Sequence, residues 1–369
     1  MLLGEGRPAE AVPIPTRSEI LAHQRSEGRR IAAVLPVHYS RALLRGHGYQ
    51  PMEVWGPPHI DASLAAAHLQ PYVCSVVRNA LAFLLSGGLA DADLVLVPHG
   101  CDSLQGLASL LLDFVSTEQP VLPLYIPRGT GRAARTFLAQ ELRALSQRLA
   151  EISGISPSKT DLMGCIELEE RADDFLCELV AARPHLPFDD MQFYRLVRAR
   201  EYLPAERFAA IARSALSLRG GIRQDRIPIA ISGLLPEPSD LLSRIWELGG
   251  TIVADDLACV GRRRYRSGRS ADPFTRMAER LLSAPPDSTR GDPVEHRLSL
   301  LRDLAARDGA RGVIFYNVKF CEPEAFYHPL LREGLAQAGI PSLVIEADIS
   351  EPLSDQVCTR LEAFIEMLT

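Results

Sequence analysis

The sequence predicts an α/β protein: two Rossmann-like parallel four-stranded α/β domains facing a cleft, with a helical connector between them. Short, uninterrupted apolar runs alternate with amphipathic stretches, the pattern of strands buried on both faces by helices. The alternation occurs twice, and the segment between its two occurrences has helical periodicity and no strand. These observations divide the chain into an N-terminal extension (1–30), a first α/β domain (31–157), a connector (158–222) and a second α/β domain (223–369).

The extension opens rich in Pro and Gly, with little periodicity over residues 1–24, and reads as a segment wrapped on the body. IAAVLP (31–36), MEVW (52–55), ADLVLVP (92–98) and VLPLYI (121–126) are the first four strands. Helices are expected at about 74–85, 103–115 and 132–152. Residues 158–183, 187–201 and 204–218 are helical, with Pro and acidic residues at their starts. The second set of strands is RIPIAISG (226–233), TIVADD (251–256), RGVIFYNV (311–318) and PSLVIEAD (341–348), with helices at 238–249, 296–309 and 324–339. Residues 266–294 carry four prolines and read as a surface segment around a short helix.

Composition narrows the function. The chain has 369 residues, 47% of them hydrophobic and 23% charged, as in a globular enzyme. Lys and Arg number 40 against 46 Asp and Glu, a net charge of −6, which argues against a nucleic-acid binder. No apolar run reaches the ~18–20 residues of a membrane span, and the first residues lack a basic start followed by an apolar stretch, so a cytoplasmic protein is expected. No GxGxxG or Walker pattern appears, so the chain is not expected to bind ATP itself. Seven cysteines, an odd number and widely spaced, argue for thiols rather than a disulfide framework.

Ligands of open parallel sheets bind beyond the carboxyl ends of the strands. Cys101 and Cys321 both lie there, each three residues past the third strand of its domain, and Cys74 lies at the expected start of a helix, where partial positive charge favours a thiolate. Three thiolates meeting at the cleft could hold an iron–sulfur cluster or a zinc ion. Spacing alone leaves open that they are buried small hydrophobes, since no CxxC pair occurs. Cys165, Cys177 and Cys358 fall within amphipathic helices and read as packing residues; Cys259 is open between the two readings.

PYVCSVVRNALAF, LVLVPHGCDSLQGL, ISGLLPEPSDLLSRIWELGGTIVADDLACVGRRRY and NVKFCEPEAFYHPLLREGLAQAGIPSLVIEADIS together resemble the 2-hydroxyacyl-CoA dehydratase/benzoyl-CoA reductase family, from about residue 30 to the C-terminus. The resemblance implies a 4Fe–4S cluster on Cys74, Cys101 and Cys321, with one iron left open. It also implies an acyl-CoA substrate, an ATP-dependent iron–sulfur activator protein that delivers a low-potential electron, and either a related second subunit or a homodimer. His38 and Tyr39 stand where an acidic residue after Pro36 is expected, a departure that leaves the reductase branch open beside the dehydratase one. An electron-relay subunit without its own catalysis and a double-cubane reductase are the alternatives.

Arg78, His99, Asp102, Ser103 and Glu322 are candidates to tune such a cluster. Against this, Asp102, Ser103 and Glu322 open helices, where capping alone would account for them, and Arg78 could simply pair with a carboxylate. His99 could donate to the site or be a structural histidine, and His38 also faces the cleft side. Asp255 and Asp256, followed by Arg262, Arg263 and Arg264, read either as a loop reaching the cleft or a partner, or as satisfied strand-end carboxylates beside a solvated basic patch.

Overall fold

Helix α1 (Arg17–Ser26) precedes the first strand in the computed structural model, which describes residues 12–57, 60–221 and 225–369. Thr16 caps α1 in a reciprocal capping box with Glu19. This helix lies in the stretch that reads from sequence as unpatterned extension; residues 1–11 of that extension and the expected boundary at 222–223 lie outside the described residues.

The first unit runs β1 (Arg30–Val34), α2 (Arg41–Gly46), β2 (Tyr49–Glu53), α3 (Ser75–Leu85), β3 (Leu94–His99), α4 (Asp102–Asp113), β4 (Val121–Tyr125) and α5 (Arg132–Ser153). Three helices follow: α6 (Lys159–Ala182), α7 (Asp190–Arg198) and α8 (Ala205–Ser217). The second unit runs β5 (Ile227–Gly233), α9 (Asp240–Glu247), β6 (Gly250–Asp255), α10 (Pro273–Leu282), α11 (Val294–Asp308), β7 (Gly312–Val318), α12 (Glu322–Gln337), β8 (Ser342–Ala347) and α13 (Asp355–Met367). β2 begins three residues before the strand expected there, and α10 is not a surface element: Met277, Ala278, Leu281 and Leu282 are buried in the core that covers α5. Among the described residues no helix is long and apolar enough to cross a membrane.

The two four-stranded sheets are all-parallel and share one plan, β2-β1-β3-β4 and β6-β5-β7-β8. Alternate residues of β1 and β3 go to opposite faces. Ala33, Val95 and Val97 join a core that continues into the second sheet through Ile231, Ile314 and Tyr316, whereas Ala32, Val34, Leu94 and Leu96 face α5 and α6. In each sheet the chain leaves the first strand on one side for the second and returns on the other for the third. That reversal opens a crevice beyond the carboxyl ends of β1 and β3, and of β5 and β7.

Candidate functional site

Three helices begin at these crevices, and each has a cysteine as its N-cap: Cys74 for α3, Cys101 for α4 and Cys321 for α12. Residues that cap well carry a side-chain oxygen; here sulfur stands in its place, and none of the three makes a regular capping bond. The first amide of α3, on Ser75, instead donates to the Lys319 carbonyl at 3.1 Å, which ties the first unit to the loop that carries Cys321. That loop turns sharply: Phe320 is left-handed (φ 64°), and the Cys321 amide donates back to Val318 at 2.9 Å.

Cys74 and Cys321 are buried, Cys101 half-buried, and all seven cysteines are free. Cys74 and Cys321 lie within hydrogen-bonding reach of each other. The bond donated by Cys321 draws the Cys74 thiol below its ordinary value, while the same bond and burial push Cys321 well up. Burial, helped by a charge on Cys74, pushes Cys101 up to about 12. First-turn amides oppose these penalties: Val76 and Val77 at Cys74, Ser103 and Leu104 at Cys101, Glu324 at Cys321. Three helix N-termini thus direct partial positive charge at three thiols, an arrangement suited to anionic sulfur.

The residues around the trio divide. Arg78 forms a 2.8 Å ion pair with Asp348, and its positive charge also lowers the Cys74 thiol. His99 packs edge-on against Tyr125, with ring centroids 4.5 Å apart, and burial lowers its pKa. Asp102 and Glu322 are exposed first-turn residues and Ser103 is half-buried; capping is not their duty, because the cysteines hold the N-cap positions.

The run after β6 keeps a part of each sequence reading: Arg263 reaches across to the first unit, and the strand-end carboxylates are paired. Arg262 and Arg263 are buried, not a solvated patch, and the strand-end carboxylates pair with arginines: Asp255 with Arg183, and Asp256 with Arg297 at 2.9 Å. Arg263 reaches Glu53, at the end of β2, with contacts of 2.5 and 2.7 Å, where Arg41, Tyr39 and Trp55 also converge. Cys259 is buried among Arg198, Glu201 and Asp255. His38 is buried too, 3.2 Å from Thr289 Oγ1. Sequence reasoning missed Ser75, Asp348 and Glu324 at this site; the only local signal was their position at or beside helix and strand ends.

Buried polar atoms normally have partners, and exceptions need a reason such as an ion or redox group. Ser75 Oγ, Arg78 Nε and both ring nitrogens of His99 are buried without one, and all lie within a turn of Cys74 or two residues of Cys101. Unspent donors beside three thiols fit a sulfide-rich anion. Among the described residues, no three His, Cys, Asp or Glu side chains gather tightly enough for a single metal ion. A four-iron cube asks less, since each thiolate takes a different iron. The residues present therefore fit the implied 4Fe–4S cluster, with Cys74, Cys101 and Cys321 as its holders.

A sequence profile of the family described as 2-hydroxyglutaryl-CoA dehydratase, D-component, matches residues 36–368. The chain is 26% identical to the beta subunit of lactoyl-CoA dehydratase from Anaerotignum propionicum, over 92% of each chain. It is 24% identical to the (R)-phenyllactyl-CoA dehydratase beta subunit of Clostridium sporogenes, over 95% of this chain and 94% of that one. A benzoyl-CoA reductase subunit of Thauera aromatica is 22% identical, over 85% of this chain and 84% of its own length. Because the match takes in every strand but β1, the helices between the sheets and all three converging cysteines, the chain belongs to the 2-hydroxyglutaryl-CoA dehydratase D-component family.

Proposed function

We propose that the chain is the iron–sulfur subunit of an ATP-activator-dependent, low-potential acyl-CoA dehydratase or reductase, and that it works with a related second subunit. The observation that carries this reading is the meeting of Cys74, Cys101 and Cys321, from two domains, at three helix N-termini ringed by unpartnered donors. A bound 4Fe–4S cluster supplies single low-potential electrons and, with three protein ligands, one iron with a free position. The chain's own residues do the rest. Helix N-terminal amides at each cysteine offset the negative charge of the thiolates. Ser75, Arg78 and His99 have N–H or O–H groups to spend on sulfur, and each such bond makes reduction easier. Burial of Cys74 and Cys321 keeps water from two of the three holders. An acyl thioester of coenzyme A is the proposed acceptor, in keeping with what the relatives' names say they act on. Each of these relatives is named as one subunit of its enzyme, which supports a multi-subunit assembly, and an ATP-hydrolysing iron–sulfur activator is the proposed electron source.

The test is iron and acid-labile sulfide per chain after strictly anaerobic purification, with electron paramagnetic resonance of the reduced protein. About four of each are expected, falling by more than half in Cys321→Ala and Cys74→Ala, while Cys165→Ala matches the parent. No iron in protein never exposed to air overturns the reading.

A further inference from the structure

Glu324 is the third residue of α12, one turn beyond Cys321, and its own amide points at the Cys321 sulfur. Its side chain is fully buried, yet it is ionised: although burial opposes the charge, Arg262 and Arg297 hold its carboxyl well below the usual range. Arg262 grips it through two nitrogens, at 2.7 and 3.2 Å, and Arg297 adds a third contact at 2.7 Å, with Ser288 Oγ donating as well. The arginines come from the turn after β6 and from α11. Each is braced by a second carboxylate, Arg297 by Asp256 at 2.9 Å and Arg262 by Asp287 at 3.3 Å. On the side of the first domain, His38 lies 3.6 Å from Asp287, and burial keeps it neutral above about pH 4. His328, one turn further along α12, is buried and neutral as well.

This is more charge than packing needs. A buried ion pair seldom stabilises a fold better than a well-packed apolar pair would, so three carboxylates and two guanidiniums behind one cysteine call for another use. Fixed charges in a dry interior act strongly on neighbouring electron equilibria, and here they stand within a turn of a proposed cluster holder. We propose that Glu324, clamped by Arg262 and Arg297, is a positioning residue that sets the reduction potential at the Cys321 end of the site. The inference rests on the cluster reading above and deepens it. The Glu324 carboxylate biases the site against the extra negative charge of a reduced cluster, and the two arginines return most of that bias. The balance between them, not any single charge, then fixes the potential.

The sign is the test. Glu324→Gln keeps the shape but leaves the arginines under-compensated, so the midpoint potential is expected to rise. Arg297→Gln leaves the carboxylate under-compensated but still held by Arg262, so the potential is expected to fall. Arg297→Lys keeps the charge and is expected to stay at the parent value. The measurement is an anaerobic redox titration followed by electron paramagnetic resonance, on the full chain together with its partner subunit. Shifts in one direction for Glu324→Gln and Arg297→Gln, no shift in either, or loss of iron from variants that remain folded would overturn the proposal. Should Glu324→Gln not be recovered folded, the Arg297→Gln and Arg297→Lys pair carries the same comparison: a fall in the first that the second does not show. A parent protein without iron defeats the cluster reading, and this inference with it. An iron-loaded parent whose variants do not move defeats this inference alone.

Discussion

Val37 and His38 are both left-handed (φ 68° and 64°), a conformation that turns the chain after β1 and carries the imidazole to Thr289 and Asp287 of the second unit. Burial takes the His38 pKa down to about 4, although Asp287 pulls the other way. The unfolded chain takes up that proton near pH 6.5 and the folded chain only near 4. Stability therefore drops as pH falls through this window, by about 3 kcal/mol in all, and does not change with this group above it. His38→Gln keeps a hydrogen-bonding side chain without the proton. Urea unfolding at pH 7 and 4.5 should show the variant losing about 2 kcal/mol less than the parent on acidification; equal losses would refute this account. Of the residues at the site, Cys101 and Cys321 could be placed from sequence by the strands they follow and Cys74 by the helix it opens, while their grouping as one set came from the family resemblance. Glu324, Arg262 and Arg297 could not be placed, because a run such as Arg262–Arg263–Arg264 looks like surface until its distant carboxylates are known.

The centre of the second sheet depends on close approach. Gly233, the last residue of β5, has φ 154° and pairs with Tyr316 of β7, and a Cβ there would stand 2.2 Å from the Tyr316 carbonyl oxygen. Backbone cannot yield as a flexible side chain can. Gly233→Ala is expected to cost about 3 kcal/mol or more and to loosen the β5–β7 pair, read by denaturant unfolding and amide exchange. Gly87, at φ 81° with nothing within 4 Å, is the control: alanine there pays only the left-handed penalty, about 1–2 kcal/mol. Similar costs at the two positions would sink the argument. Elements were readable wherever periodicity and punctuation agreed. The start of α6 shows the agreement, with Ser158 and Asp161 forming a capping box. Helix α1 was obscured by the prolines and glycines before it, and the short helix expected around α10 was taken for a surface element because of the prolines around it. In both cases the cap was in the sequence, Thr16 with Glu19 and Asp272 before Pro273.

At the scale of the molecule, Glu53 is one of the carboxylates that fasten the first unit to the second. Glu53 is buried where Arg41 and Arg263 meet, and they hold its pKa at about 2 although burial alone would raise it. Its contribution is complete above pH 4.5 and fades as pH falls toward 2, so acid acts on this joint only after it has acted on His38. Glu53→Gln strands two buried guanidiniums and is expected to cost about 3–5 kcal/mol. Amide exchange at Arg262 and Arg263 should then accelerate before the sheets open; exchange unchanged at those two positions would show that the joint lies elsewhere. The architecture of two similar parallel sheets was legible because each strand is a continuous apolar run. The joint was not, because a pairing between residues 53 and 263 leaves no local trace.

The convergence of Cys74, Cys101 and Cys321 also imposes an order in time. A ribosome adding roughly 5–20 residues per second releases Cys321 about ten seconds or more after Cys101, when the first sheet is already complete. Until then two of the three thiols wait at helix starts that lack both an oxygen cap and the Lys319 carbonyl that receives the Ser75 amide. On the proposed cluster reading, a nascent chain becomes ready for loading only near the end of its synthesis, and one cut short before α12 offers two of the three proposed holders.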